Sequence, residues 1–205
     1  MSLSRQQLNS GIDALASLDA NFARALGNAG YPEPRIREPG YTTLLRTIVG
    51  QQVSVAAASS IWNKLEAGFG AGCAAEVMAT AEFDALRGCG LSAQKQGYAK
   101  SLAQLVIDGE LDFASLPADD EEAIALLTKV KGIGRWSAEI YLLFAEGRPD
   151  IWPAGDLAVQ EAIGRILQLE ARPSEKMVRE LAEPWRPHRG AAAIFSWHCY
   201  NMDVI

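Results

Sequence analysis

Cysteine is scarce in this chain. Cys73, Cys89 and Cys199 are the only three in 205 residues, odd in number and widely spaced. They fit neither a disulfide framework nor a clustered metal site, and read as buried or inert thiols. Long apolar runs are missing as well, and none reaches the ~20 residues of a membrane-spanning helix. Met1 to Ser10 is polar and lacks the charged-then-apolar layout of a signal peptide. These absences predict an intracellular chain with no membrane partner. Positive charge is also in deficit: 19 Lys and Arg stand against 25 Asp and Glu, for a net charge of −6 and a pI near 5.0. That counts against an extended polyanion-binding surface, because Lys and Arg supply most non-specific affinity for phosphate. It describes the average surface, and a local cationic strip coexists with an acidic back.

Strand signals are almost absent. No segment alternates apolar and polar residues for long, and no internal repeat, low-complexity tract or heptad pattern is present. What is there is helix: Ala, Leu, Glu, Gln and Arg dominate, and apolar residues recur every three or four positions. Half the chain (49%) is hydrophobic, enough for a substantial core in one domain or two small lobes. The spacing predicts helices over roughly 4–10, 12–28, 41–50, 54–68, 72–79, 81–87, 92–107, 120–129, 134–145, 155–168, 174–183 and 188–200. Ser54, Ser92 and Asp119 are placed to cap the helices that follow them, and Gly68 and Gly70 to end one. Tyr31 to Gly40 holds three prolines and reads as an extended connector.

Residues 127–166 carry the most information. Gly132-Ile133-Gly134 separates two helical segments. Two glycines around one apolar residue permit a tight hairpin with exposed backbone amides, Ile133 anchoring the turn. With the helix N-terminus near Arg135 they form an anion site, to which Lys129, Lys131 and Arg135 add charge. An ordinary helix–turn–helix joint reads the same way. Further on, Asp150-Ile151-Trp152-Pro153-Ala154-Gly155-Asp156 leads into an amphipathic helix. Asp156 is either a simple N-cap or a carboxylate held at a helix start for chemistry.

The pattern Val130-Lys131-Gly132-Ile133-Gly134-x-Trp136-Ser137-Ala138, the turn Gly147-Arg148-Pro149-Asp150 and Pro153-x-x-Asp156-Leu157 resemble the helix-hairpin-helix (HhH-GPD) DNA glycosylase superfamily. The Trp-Ser-Ala form is most similar to its 3-methyladenine DNA glycosylase II branch. Leu44 to Ser54 (LLRTIVGQQVS), Gly90 to Lys95 (GLSAQK) and Trp185 to Ala192 (WRPHRGAA) with Trp197 extend the match over roughly residues 40–200. The resemblance implies an all-α, two-lobed helix-hairpin-helix fold. The chain is too short for the N-terminal β-rich domain of the best-known bacterial form. One glycosylase unit over 1–205 is expected, with one lobe at about 47–148 and the other at about 1–46 plus 149–205.

The resemblance also implies roles. Such enzymes take the target base out of the stack. They need a grip on the backbone, a plug for the gap and a pocket for the base. The grip is the hairpin, through Lys129, Lys131, Gly132, Ile133, Gly134 and Arg135. Its backbone carbonyls are able to hold a Na⁺ or K⁺ ion; no metal is bound by side chains. The plug is Gln52, which otherwise reads as a solvent-facing loop residue. The pocket is lined by Trp136, Trp197 and Tyr141, with Ile140 where the family has a stacking tyrosine; each also reads as core packing. Indole faces attract a base made cationic by alkylation. Asp156 is the catalytic carboxylate, stabilising an oxocarbenium-like sugar and orienting water.

Bifunctional relatives carry a lysine where Trp136 stands and form a Schiff base. The expectation here is monofunctional hydrolysis, with no required cofactor. Cys199 is alone in the C-terminal region, so no iron–sulfur cluster is expected. The predicted partner is double-stranded DNA with damaged bases, approached as a monomer in the bacterial cytoplasm or nucleoid, or in a nucleus. The substrate class is alkylated purines, 3-methyladenine among them. Another lesion specificity, a catalytically silent DNA-binding module and a helical interaction scaffold are the competing readings.

Overall fold

A computed structural model describes residues 3–202. Among these described residues twelve α-helices follow in chain order. They are α1 (Arg5–Leu18), α2 (Ala20–Ala29), α3 (Tyr41–Gly50), α4 (Val55–Phe69), α5 (Ala75–Thr80), α6 (Phe83–Gly88), α7 (Ala93–Ile107), α8 (Asp120–Leu127), α9 (Arg135–Tyr141), α10 (Leu157–Ile166), α11 (Glu175–Leu181) and α12 (Arg189–Met202). A π-helical turn, Leu142–Glu146, continues α9, and a 3₁₀ turn, Glu183–Trp185, precedes α12. No strand occurs among the described residues. None of the described helices is long and apolar enough to cross a membrane.

The helix starts follow local chemistry. Ser54 accepts the Ala57 amide at 3.2 Å, Ser92 that of Lys95 at 3.3 Å and Asp119 that of Glu122 at 2.9 Å. Each satisfies a backbone donor that the first helical turn leaves unpaired. Gly70, at φ 88°, ends α4, while Gly68 lies inside it. Two boundaries depart from the sequence expectation. The break expected at Gly11 does not exist, and α1 runs through it. The break falls at Asp19, which ends α1 and caps α2 by accepting the Asn21 amide at 2.8 Å. Gly11 has a packing reason instead: a Cβ there would lie 2.8 Å from the Cβ of Ala191 in α12. Likewise the expected helix 134–145 keeps α geometry only to Tyr141 before widening to the π turn.

The chain divides into two compact units. One is continuous, Glu38–Tyr141; the other joins Met1–Arg37 to Leu142–Ile205. In the continuous unit α7 packs on α3, α5 and α6, α3 also meets α4 and α9, and α8 pairs with α9. Its core includes Leu44, Leu45, Ile48, Leu65, Met78, Leu86, Leu102 and Leu127, all fully buried. In the discontinuous unit α12 is central, packing on α1, α2 and α10. Leu8, Ile12, Leu15, Phe22, Ile163 and Phe195 form its core, with the Phe22 ring edge-on to Trp185 at 5.0 Å.

Candidate functional site

In the continuous unit the expected hairpin joins α8 to α9. Gly132 has φ 83°, a left-handed conformation that side chains other than glycine's rarely adopt. It also lies against the ring of Tyr98 in α7, so closely that a Cβ would fall 2.2 Å from Cδ2. Glycine is therefore required here twice over. Ile133 is buried and closes the turn by donating to the Val130 carbonyl at 3.0 Å. Gly134 has open space around it. Lys129 and Lys131 are exposed; the Lys129 ammonium lies 3.9 Å from Glu110, and the Lys131 amide donates to Ser101 Oγ at 3.2 Å.

Arg135, expected to add charge at the hairpin, is engaged by two carboxylates. Its guanidinium chelates the Glu121 carboxylate, with Nη1 at 2.7 Å, while Nε donates to Glu139 at 2.9 Å. Glu139 is 2% exposed, and a buried carboxylate needs such compensation. The Glu121 bond first, then the charges of Glu139 and Glu121, raise the Arg135 pKa. This arginine holds the hairpin's second helix to its first.

The turn between α3 and α4 lies beside the hairpin. Gln51 Nε2 donates to the Gly132 carbonyl at 2.8 Å. Gln52 is exposed and left-handed, with φ 54°, an uncommon state for a non-glycine residue. Val53 and Val55 follow it and are exposed, Val55 at 86%. Trp136, at the start of α9, is 47% exposed. Ile140 is buried. Tyr141 is 2% exposed, its ring 5.6 Å from that of Phe113 and its hydroxyl accepting the Gly40 amide at 2.7 Å. Those contacts place Tyr141 in the core of its unit.

In the discontinuous unit Asp156 is the N-cap of α10, half-buried. Its Oδ1 accepts the amides of Ala158 at 2.9 Å and Val159 at 3.0 Å, and the indole N–H of Trp197 at 3.2 Å. Sequence reasoning offered an N-cap and a catalytic carboxylate as alternatives, but this geometry allows both at once. The Trp197 ring lies 5.7 Å from that of Phe144, tilted by 33°. The loop leading to Asp156 is moored on α12. Asp150 accepts from Arg189 Nε at 2.9 Å and Nη2 at 2.8 Å and from Arg186 Nη1 at 2.7 Å. Gly190 N–H donates to the Pro149 carbonyl at 2.8 Å, and a Cβ on Gly190 would strike that oxygen. Helix α12 thus carries Trp197 and also secures the segment that presents Asp156. His198 packs in the same helix, its Nε2 2.9 Å from the Ala29 carbonyl.

Sequence reasoning missed Gln51, Tyr98 and the Trp197–Asp156 bond. A second glutamine beside Gln52 was the available signal for the first. No local signal exists for the others, whose partners lie 34 and 41 positions away. Among the described residues no group of His, Cys, Asp and Glu side chains is disposed to hold a metal ion.

Known proteins resemble this chain in sequence and fold. The family model described as "HhH-GPD superfamily base excision DNA repair protein" matches residues 45–187. The DNA-3-methyladenine glycosylase 1 of Schizosaccharomyces pombe is 32% identical over 191 residues, 89% of this chain and 83% of that one. The solved structure of the Schizosaccharomyces pombe 3-methyladenine DNA glycosylase in complex with abasic DNA is similar at a TM-score of 0.77 and 31% identity. That match covers 92% of this chain and 95% of the other. A DNA-3-methyladenine glycosidase structure from Bacillus halodurans matches at a TM-score of 0.87 and 27% identity, covering 94% and 90%.

Proposed function

This chain belongs to the HhH-GPD superfamily of base excision DNA repair proteins, and from that premise we propose that it is a monofunctional DNA-3-methyladenine glycosylase. It hydrolyses the N-glycosidic bond of alkylated purines, 3-methyladenine among them, in double-stranded DNA. The observation that carries the reading is Asp156: a half-buried carboxylate at a helix start, held on one oxygen by two amides and an indole N–H.

Alkylation leaves the purine positively charged and hence already a good leaving group. The C1′–N bond breaks, its electron pair goes to the base, and the sugar acquires oxocarbenium character. The Asp156 carboxylate stabilises that charge and takes a proton from the attacking water. A separate general acid is not needed for a cationic base. The half-exposed indole of Trp136 offers a face for the electron-poor ring, worth ~1–2 kcal/mol when desolvated.

The hairpin amides around Gly132 and Gly134, with Lys129 and Lys131, grip phosphate, and Gln52 enters the gap left by the base. Hairpin carbonyls suit an alkali ion: those of Val130 and Gly132 accept one hydrogen bond each and have a second lone pair. Such an ion would supply positive charge toward phosphate.

The test is to incubate the protein with methylated DNA and identify the free bases by chromatography. Release of 3-methyladenine by the native chain and none by Asp156→Asn is expected; equal release by both would remove Asp156 from its role. With an indole in place of a Schiff-base lysine, borohydride should trap no covalent adduct with DNA.

A further inference from the structure

The short turn between α3 and α4 is pinned at its base from two sides. The last carbonyls of α3 lack intrahelical partners, and the Lys95 ammonium of α7 donates to that of Val49 at 2.7 Å. Burial lowers the Lys95 pKa. One residue past the helix end, Gln51 reaches out and donates to the Gly132 carbonyl at 2.8 Å. The acceptor's residue is itself closely packed, because Gly132 rests on the Tyr98 ring with no room for a methyl group. Tyr98 is held in turn by Gln94, whose amide donates to the phenol oxygen at 2.5 Å. Helix α7 therefore underlies both the turn and the hairpin, and Gln51 ties the one to the other. Gln52, the next residue, stands exposed in a left-handed conformation at the tip.

We infer that Gln51 is a positioning residue that yokes the Gln52 turn to the Gly132 carbonyl, so that the plug is set by the same hairpin that grips the backbone. The inference rests on the proposed glycosylase function. Its consequence is specific to extrusion of the base. A hairpin seated on phosphate holds Gln51, and Gln51 holds Gln52 at the height from which it enters the stack. Without the tie, the hairpin still binds and the carboxylate still reacts, but the gap is filled less often. One hydrogen bond of this kind corresponds to a loss of about tenfold.

The experiment uses Gln51→Met, which keeps length and removes the donor, and Gln51→Glu, which replaces the donor with an acceptor. Single-turnover base release is measured on a methylated purine in an intact duplex and on the same purine facing a gap, where no partner base must be parted. A 2-aminopurine beside the lesion reports unstacking by its fluorescence. Both variants should lose about tenfold on the intact duplex, far less on the gapped substrate, and most of the 2-aminopurine signal, with a melting temperature within about 4 °C of the native one. In a Gln52→Ala background, Gln51→Met should add no further loss. Equal losses on both substrates, or a full additional loss in the Gln52→Ala background, would overturn the inference. A native chain that releases no base from either substrate sinks the glycosylase reading instead, and the fluorescence still decides whether Gln51 sets the plug.

Discussion

On the proposed mechanism Asp156 carries two duties on one side chain, and substitutions separate them. Asparagine caps a helix about as well as aspartate. Asp156→Asn should therefore retain the native melting temperature and lose base release. Asp156→Ala should lose activity and also about 1 kcal/mol of stability, read by urea titration, because two amides of α10 lose their acceptor. Trp197 can be treated the same way. Trp197→Phe keeps an aromatic ring against Phe144 but removes the donor to Oδ1. On the proposed mechanism, kcat should fall about tenfold with little change in affinity for methylated DNA, as expected for loss of one hydrogen bond to a charged group. A fall in affinity alone would point to stacking as its main contribution.

At the scale of elements, the hairpin is the most constrained piece of backbone in the continuous unit. Gly132→Ala should destabilise the protein by more than ~2 kcal/mol, since a methyl group meets the Tyr98 ring and the backbone angle is unfavourable. Gly132→Ala combined with Tyr98→Ala should recover only part of this loss, because the overlap is relieved and the angle is not; thermal melts of both variants check it. The same region shows where sequence reading stops. Caps at Ser54, Ser92 and Asp119 were legible because a side chain and an amide three positions away settle them. The two glycines marked the hairpin because they carry its backbone requirement in their own chemistry. The carboxylate partners of Arg135 were not legible, because Glu121 lies 14 positions back, on the facing helix. The gap between the expected helices 4–10 and 12–28 falls on Gly11, and nothing local reveals the methyl group of Ala191 that this glycine accommodates inside α1.

For the molecule as a whole, the acidic balance has measurable consequences. With Arg135 engaged by carboxylates, Lys129 and Lys131 are the hairpin's outward cations. Each phosphate neutralised contributes about −0.9 to the slope of log affinity against log salt. Replacing both lysines with alanine should therefore flatten that slope by about two. Alkali should act through the buried thiols. Desolvation raises the Cys73 pKa to about 11, with the Glu66 charge adding to it, and that of Cys199 to about 12, from a normal value of 9.0. A folded pKa above the unfolded one favours folding fully below the unfolded value and progressively less above it. The melting temperature should hold up to about pH 9 and then fall as pH rises through 11 and 12. Cys73→Ser with Cys199→Ser should show a shallower fall.

The order in which the units are written into the chain also bears on how the protein is made. Glu38–Tyr141 is one uninterrupted stretch, so that unit can close once Tyr141 has left the ribosome, whatever follows it. The other must wait. Helices α1 and α2 are made before Glu38–Tyr141, yet Leu8, Ile12 and Phe22 find their cover on α12, which is made after it. Until α12 is made those apolar faces lack its cover, which makes the α1–α2 pair the natural point of engagement for a chaperone on the nascent chain.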